Sequence, residues 1–234
     1  MKNKFMIALL GLMLVSCGEA SSLSTSISNS LIESISTSDS LTISTPTSNS
    51  LIQSASTSNS LTGNTALTKT EWNDAFSYFY NGNFTYISVS VGAGVTSTMT
   101  VTCHNDVCSL TGKNEYDDFT MYYEKNGDNY YVYNNDNGWK KRESQKEEYE
   151  NVRHGLTFAI NQYDSFIYDS ESNSYSADDI EGFITSDNKF RITFDSISKK
   201  LATIHEEYTY SNVDFVADIT VSYVTEAISL PVVD

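Results

Sequence analysis

Residues 122–139, YYEKNGDNYYVYNNDNGW, contain two hairpin signals close together. Asn126-Gly127 separates two tyrosine-rich segments, and this dipeptide predicts a type I′ turn between antiparallel strands. Asn137-Gly138 predicts a second turn directly after the returning strand. Three neighbouring antiparallel strands are therefore expected here, and they indicate an antiparallel sheet as the basis of the fold.

Alternating apolar and polar residues extend this pattern in both directions along the chain. Such a period of two is typical of antiparallel strands that are covered on one face only. Serines 88 and 90 would then face outward from the first strand, and further strands are predicted at 165–169, 190–194 and 201–210. The predicted inward-facing sets are Ile87, Val89 and Val91; Met99, Val101 and Cys103; Phe119, Met121 and Tyr123; and Phe215, Ala217, Ile219, Val221 and Tyr223.

Two amphipathic helices are predicted from capping boxes followed by apolar stripes. Thr68 and Glu71 form the first box. Ser144 and Glu147 form the second, which opens the longest helix pattern in the chain, although Gly155 lowers its helical propensity. The two stripes are Trp72, Ala75, Phe76, Phe79 and Tyr80, and Tyr149, Val152, Leu156, Ile160 and Tyr163.

The order of helix, meandering strands, long helix and further strands resembles the half-barrel of LolA-like and LppX-like bacterial lipoprotein and lipid carriers. The segments that carry this resemblance are TEWNDAFSYF, the double hairpin and the closing ITVSYVTEAISLP. It implies an α+β domain over residues 67–234, with a curved antiparallel sheet packed on one or two helices around an apolar cavity. The candidate ligand contacts on the predicted apolar faces are Trp72, Phe76, Val89, Val101, Ile219 and Val221.

The N-terminus predicts export and membrane attachment. A basic start precedes eleven apolar residues at 5–15, too few for a helix that spans a membrane. The following LVSC, ending at Cys17, resembles the lipobox of bacterial lipoproteins. The resemblance implies a signal peptide at 1–16, acylation of Cys17, and a lipid anchor on the extracytoplasmic face of the cell membrane. An ordinary secretory signal with an incidental cysteine is the alternative.

Residues 17–66 are predicted to be a disordered linker. Between residues 21 and 66, 25 side chains are Ser or Thr, and a decapeptide unit recurs at 28, 38, 48 and 58. Units with one or two aliphatic residues are too poor in apolar surface to bury a core. A small β-solenoid is the alternative, but the units lack glycines for tight corners. The hydroxyl groups also allow O-glycosylation.

Once Cys17 is assigned to the lipid, two cysteines remain. Cys103 and Cys108 flank a four-residue loop, which would place them opposite each other on neighbouring strands and predicts a disulfide. Free thiols are one alternative. A metal site that uses Cys103, His104 and Cys108 is another, although alternate strand residues would send His104 to the opposite face.

Composition and motifs narrow the function. With 30 acidic and 14 basic residues, a nucleic-acid partner is not expected. No catalytic, phosphate-binding or metal-binding motif is present, so neither enzyme activity, a metal nor a cofactor is predicted. The paired acids at 117–118, 178–179 and 206–207 are interpreted as solvated surface. The predicted function is non-catalytic binding of a lipid or other apolar ligand; the alternative is a surface-displayed adhesion or interaction protein on a flexible stalk.

The tyrosines of the double hairpin have two possible roles, packing and binding. Tyr122, Tyr131 and Tyr133 fall on the strand face opposite Tyr123 and Tyr130. The first interpretation is structural packing with hydroxyl groups that reach water. The second is an aromatic patch that binds a sugar, a peptide or a host surface.

Overall fold

The computed structural model describes residues 65–180, 183, 187–223 and 225–233. The predicted signal peptide, Cys17 and almost all of the predicted linker lie outside the described residues. The described residues contain helices α1 (Lys69–Asn81) and α2 (Lys146–Arg153), a short 3₁₀ turn (Tyr163–Ser165) and eleven strands. The strands are β1 Phe84–Gly92, β2 Val95–His104, β3 Val107–Asn114, β4 Asp118–Asn126, β5 Asn129–Asn135, β6 Trp139–Glu143, β7 Ile167–Asp169, β8 Ser174–Asp178, β9 Asn188–Phe194, β10 Leu201–Tyr210 and β11 Val213–Ser222.

The eleven strands form one curved, open antiparallel sheet. Their order is β6-β5-β4-β3-β2-β1-β11-β10-β9-β8-β7, so the first and last strands pair at the centre and β6 and β7 form the edges. Helix α2 lies in the connection between the two edge strands and packs against β3, β4 and β5. The α+β class, with an antiparallel sheet and two helices, is therefore confirmed.

Helix α1 begins and packs as the sequence predicts. The Thr68 side chain accepts from the Glu71 amide, and Glu71 accepts from the Thr68 amide, which completes the capping box. The apolar stripe buries Trp72, Ala75, Phe76 and Phe79 against the sheet, whereas Tyr80 remains 40% exposed. The side of the sheet that faces α1 is called the inner face below.

Helix α2 is much shorter than the sequence pattern indicates. Its N-cap is Gln145, without a side-chain capping bond, so the predicted capping box at Ser144 is wrong. The Ser144 hydroxyl instead donates to Glu148, 2.7 Å away. The helix ends at Arg153, and turns lead to the 3₁₀ segment. Gly155 lies just beyond this end, where its low helical propensity favours termination.

Strand β1 presents the opposite face from the predicted one. Phe84 and Tyr86 are buried, and alternation then places Ser88 on the inner face at 2% exposure. Ile87 and Val89 face outward with exposed fractions of 44% and 41%. Phe84 decides the orientation because its ring packs 4.6 Å from the ring of Phe79 in α1, and aromatic rings bury more apolar area than aliphatic side chains do.

The double hairpin is present, with one turn shifted. Asn126 pairs with Asn129, so the loop of the first hairpin is Gly127-Asp128 and not the predicted Asn-Gly pair. Gly127 has φ +62°, while no positive φ is recorded for the following residue. A positive φ at the first loop position alone is the requirement of a type II′ turn, which explains the glycine there. The second turn, with positive φ at Asn137 and Gly138, leads into β6 as predicted.

Candidate functional site

The predicted ligand contacts do not form one accessible surface. Trp72, Phe76, Val101 and Ile219 are fully buried, each at 0% or 1% exposure. Val221 is partly buried and packs against the same core. Val89 lies on the outer face of the sheet, away from the others. The inner face therefore brings five of the six residues together, but chiefly as core.

Trp72 shows how completely protein side chains fill this part of the inner face. The rings of Phe76, Tyr163, Phe166, Tyr175 and Phe194 have centroids 4.9–5.7 Å from that of Trp72. Its indole Nε1 also donates to a backbone carbonyl of the segment after α2, at 2.9 Å. The indole N–H of Trp72 is thus hydrogen-bonded and its ring is packed against other rings, all within the domain.

A different part of the inner face holds an unpartnered carboxyl group. Glu206 lies on β10 between Ile204 and Tyr208 on the same face, opposite Ala217 of β11 and Phe190 of β9. Its exposed fraction is 2%, and its Oε1 atom has no hydrogen-bond partner. Burial raises the pKa of the Glu206 carboxyl to about 7. A buried carboxyl without a partner is costly to the fold and marks a candidate site.

Further hydroxyl groups lie on the same side of the sheet as Glu206. Ser88 of β1 is buried, and its Oγ atom also has no hydrogen-bond partner. Burial, with a contribution from the Glu206 charge, raises the pKa values of the Tyr86 and Tyr208 hydroxyls. The inner face therefore carries several polar atoms within a largely apolar core.

Aromatic side chains share the inner face with Glu206. Phe190, its cross-strand neighbour, packs 4.9 Å from Phe158 and 4.8 Å from Phe183. Phe183 also contacts Tyr208, at 5.7 Å between ring centroids. These four rings, Phe158, Phe183, Phe190 and Tyr208, are called the aromatic wall below. Glu206 thus has aromatic neighbours on the inner face, and no charged side chain pairs with it among the described residues.

The sequence analysis missed Glu206 because it interpreted residues 206–207 as a solvated acidic pair. In the structure, Glu207 alone is on the outer face, where it lies 3.7 Å from Lys189. The available signal was the alternation within β10. Ile204 and Tyr208 are both two residues from Glu206, and a strand that buries them must bury the residue between them on the same face.

Cys103 and Cys108 lie directly opposite each other on β2 and β3. The structure joins them by a disulfide with 4.1 Å between Cα atoms, and both residues are fully buried. Arg153 of α2 lies beside this disulfide, with Nη1 3.9 Å from the Cys108 sulfur. The guanidinium of Arg153 donates to the carbonyls of Tyr80, Gly82 and Asn105 at 2.8–2.9 Å. This buried cation connects α2 to the end of α1 and to the β2–β3 turn.

The outer face carries an apolar stripe at the centre of the sheet. Ile87, Val89 and Val91 of β1 are each more than 40% exposed, and Val216 of β11 pairs with Val91 beside them. Threonines of β2 face the stripe from one side. Adjacent exposed apolar residues in a soluble domain often mark a binding surface.

The outer tyrosines lie near the β6 edge of the sheet and contact one another through charged neighbours. Tyr133 donates to Glu124 at 2.6 Å, and Lys141 donates to the same carboxylate at 2.9 Å. The Lys141 ammonium lies 3.8 Å from the centroid of the Tyr131 ring. The hydroxyl and cation are thus satisfied within the sheet, which favours the structural interpretation of these residues.

The histidines lie apart and form no shared site. His104 contacts Thr225, and burial lowers the pKa of His154 to about 4. On the outer face, His205 contacts Asp218 at 2.7 Å. Within the described ranges, no group of three or more His, Cys, Asp or Glu residues is arranged to hold a metal ion. No helix in the same ranges has the length and apolar character needed to cross a membrane.

No protein-family model matches this chain, and no curated protein has significant similarity to it.

Proposed function

We propose that this chain is a lipoprotein anchored through Cys17 to the extracytoplasmic face of a cell membrane. We propose further that its folded domain is a non-catalytic binding module for a lipid or another apolar ligand. The lipobox-like sequence before Cys17 supports the anchor. The open antiparallel sheet with helices on one face supports the likeness to the half-barrel carriers.

One observation carries the binding proposal. Glu206 and Ser88 each bury a polar oxygen without a partner on the inner face. Almost all buried polar groups in folded proteins have a partner, and each exception costs about 1–3 kcal/mol and calls for an explanation. A ligand that enters the inner face and bonds to these atoms supplies that explanation. Its apolar part would lie against apolar side chains of the inner face.

Two experiments test the proposal. For the anchor, cells that express the full chain are labelled with radioactive palmitate, and Cys17→Ala should abolish both labelling and membrane association. For the ligand, native mass spectrometry of the gently purified full chain should show an added apolar mass. Its absence, together with no uptake of long-chain alcohols, would contradict the binding proposal. Retained labelling in the alanine variant would contradict the anchor.

The second candidate function is protein interaction through the outer face, with the domain displayed on the linker. The apolar stripe of Ile87, Val89, Val91 and Val216 favours it. The test is binding of the full chain to arrayed extracellular-matrix proteins and glycans. The matched control is Thr98→Lys, because Thr98 is the cross-strand neighbour of Val89 on β2. Binding that Val89→Lys removes and Thr98→Lys retains would support the stripe as the interface.

A further inference from the structure

We propose that the ligand bound on the inner face carries an ammonium group, which lies between the Glu206 carboxylate and the aromatic wall. This inference rests on the proposed binding function and specifies its chemistry. The site is Glu206 with Phe158, Phe183, Phe190 and Tyr208.

The first argument is charge. Glu206 forms no ion pair or hydrogen bond with any described residue, although only 2% of its surface is exposed to solvent. The side chain of His205 lies on the outer face of β10 and contacts Asp218 there. The buried Arg153 donates to three carbonyls elsewhere. An isolated buried carboxylate is strongly unfavourable, so a cationic ligand is the partner that relieves the largest cost.

The second argument is the nature of the walls. Aromatic faces attract cations through their quadrupole, and proteins often recognise quaternary ammonium groups, which have no N–H to donate, in this way. Phe190 lies directly across from Glu206, and Tyr208 lies two residues further along the same strand face. The aromatic wall and the Glu206 carboxylate would therefore both attract the same positively charged group of a ligand. An anionic ligand would be repelled by Glu206.

The third argument concerns alternatives. A neutral hydroxyl ligand could donate to one Glu206 oxygen, but it would leave the carboxylate charge uncompensated and would gain nothing electrostatic from the rings. A buried water molecule could satisfy Oε1 in the same limited way. Either alternative predicts no preference for a charged ligand over a neutral ligand of the same shape. Comparing the affinities of two such ligands therefore distinguishes an ammonium ligand from a neutral hydroxyl ligand or a buried water molecule.

The experiment compares choline with its neutral isostere, in which a carbon atom replaces the nitrogen. The full chain is held in discs of phosphatidylglycerol, which contains no ammonium group, and affinities are measured by calorimetry. We expect choline to bind at least about tenfold more tightly than the isostere, because a desolvated cation–π contact and Coulomb attraction to the Glu206 carboxylate act together. Equal affinities for the two compounds would overturn the ammonium proposal.

Variants locate the effect. Glu206→Gln should abolish the preference for choline, whereas Glu207→Gln, the same change on the outer face, should retain it. Tyr208→Leu keeps the carboxylate and removes one ring, and it should reduce the preference several-fold. Thermal melting shows whether each variant folds, and Tyr208→Leu provides the test if Glu206→Gln does not fold. A preference that survives both inner-face changes would refute the site.

A second pair of probes separates the ammonium proposal from the binding function on which it rests. Dodecanol and dodecyltrimethylammonium are added below their micelle-forming concentrations. If both bind equally, the binding module stands and the ammonium proposal fails. If neither binds and choline does not bind, both fail. A strong preference for the long-chain ammonium over choline identifies a lipid as the source, and similar affinities identify a small solute.

Discussion

Glu206→Gln should make the domain more stable above neutral pH and leave it unchanged in acid. The carboxyl of Glu206 has a pKa of about 7 in the folded chain, against 4.5 for an ordinary glutamate. The proton is therefore bound more tightly in the folded state than in the unfolded state. Between these two pH values, each rise in pH favours unfolding, because only the unfolded chain releases the proton readily.

The two pKa values set the magnitude. They differ by about 2.5 pH units, and each unit corresponds to about 1.36 kcal/mol, so the ionised carboxylate destabilises the fold by about 3 kcal/mol above pH 7. Below pH 4.5 both states are protonated and the cost disappears. Burial is the largest cause of the raised pKa of Glu206, and the charge of His205 on the other side of β10 opposes it.

The assay is urea denaturation of the wild-type chain and the Gln variant at several pH values from 4 to 8, after bound ligand has been removed by unfolding and refolding. Other titrating groups contribute equally to both chains, so the difference in the free energy of unfolding isolates Glu206. The variant should match the wild type at pH 4 and exceed it by about 3 kcal/mol at pH 8. A difference that does not vary with pH, or a variant that is less stable at pH 8, would show that the carboxylate has a compensating partner and refute the reasoning.

Three further outcomes are expected. Replacing Arg153 with Met should lower the free energy of unfolding by about 3 kcal/mol or more, because three partly buried carbonyls lose their donors; urea denaturation with little change would contradict this. Reduction should add two hydrogen atoms to the chain and cost about 2 kcal/mol, since the Cys103–Cys108 loop is short; an unchanged mass would exclude the disulfide. The pKa of His205, raised by its hydrogen bond to Asp218, should fall in Asp218→Asn when followed by NMR; the stabilisation from this pair is present below pH ~6.5 and is lost as the pH rises through the folded pKa.

Periodicity predicted strands well where only one face is apolar. In β11, Ala217 and Ile219 are buried while Asp218 and Thr220 face solvent, as their alternation indicates. In β1 both faces carry apolar side chains over the whole strand, and the alternation within 87–91 taken alone indicated the wrong inner face. The deciding residue, Phe84, lies at the start of the strand and packs against a helix, which is a tertiary contact outside the periodic window.

Helix signals were reliable only where capping and packing agreed. Helix α1 has a complete capping box and ends before Gly82. In the second segment, the apolar spacing continues beyond Arg153, yet the chain turns. Leu156 and Ala159 are still buried there, so the spacing correctly identified a buried segment but not its helical form. Tertiary contacts favour the turn: the carbonyl of Ala159 accepts from the Trp72 indole.

The candidate site was less predictable than the fold because it depends on the lack of a basic partner for Glu206 among the described residues. Alternation in β10 could have placed Glu206 on the inner face, but an acidic residue on an inner face usually finds a basic partner from another strand. Only the complete arrangement of the described residues shows that Lys189 lies on the outer face beside Glu207 and that Arg153 is occupied by carbonyls.

The orientation of β1 links the two candidate surfaces. Because Phe84 turns inward, Ser88 is carried to the inner face and Val89 to the outer face. The opposite orientation would place Ile87, Val89 and Val91 on the inner face and two serines in solvent, which simple burial of apolar area would favour at these positions. The observed orientation therefore gives up local burial energy and creates both an unpartnered hydroxyl inside and an apolar stripe outside. Each of these features is a cost to the isolated domain that a bound partner would offset, and this is the strongest physical reason to regard the domain as a binding module.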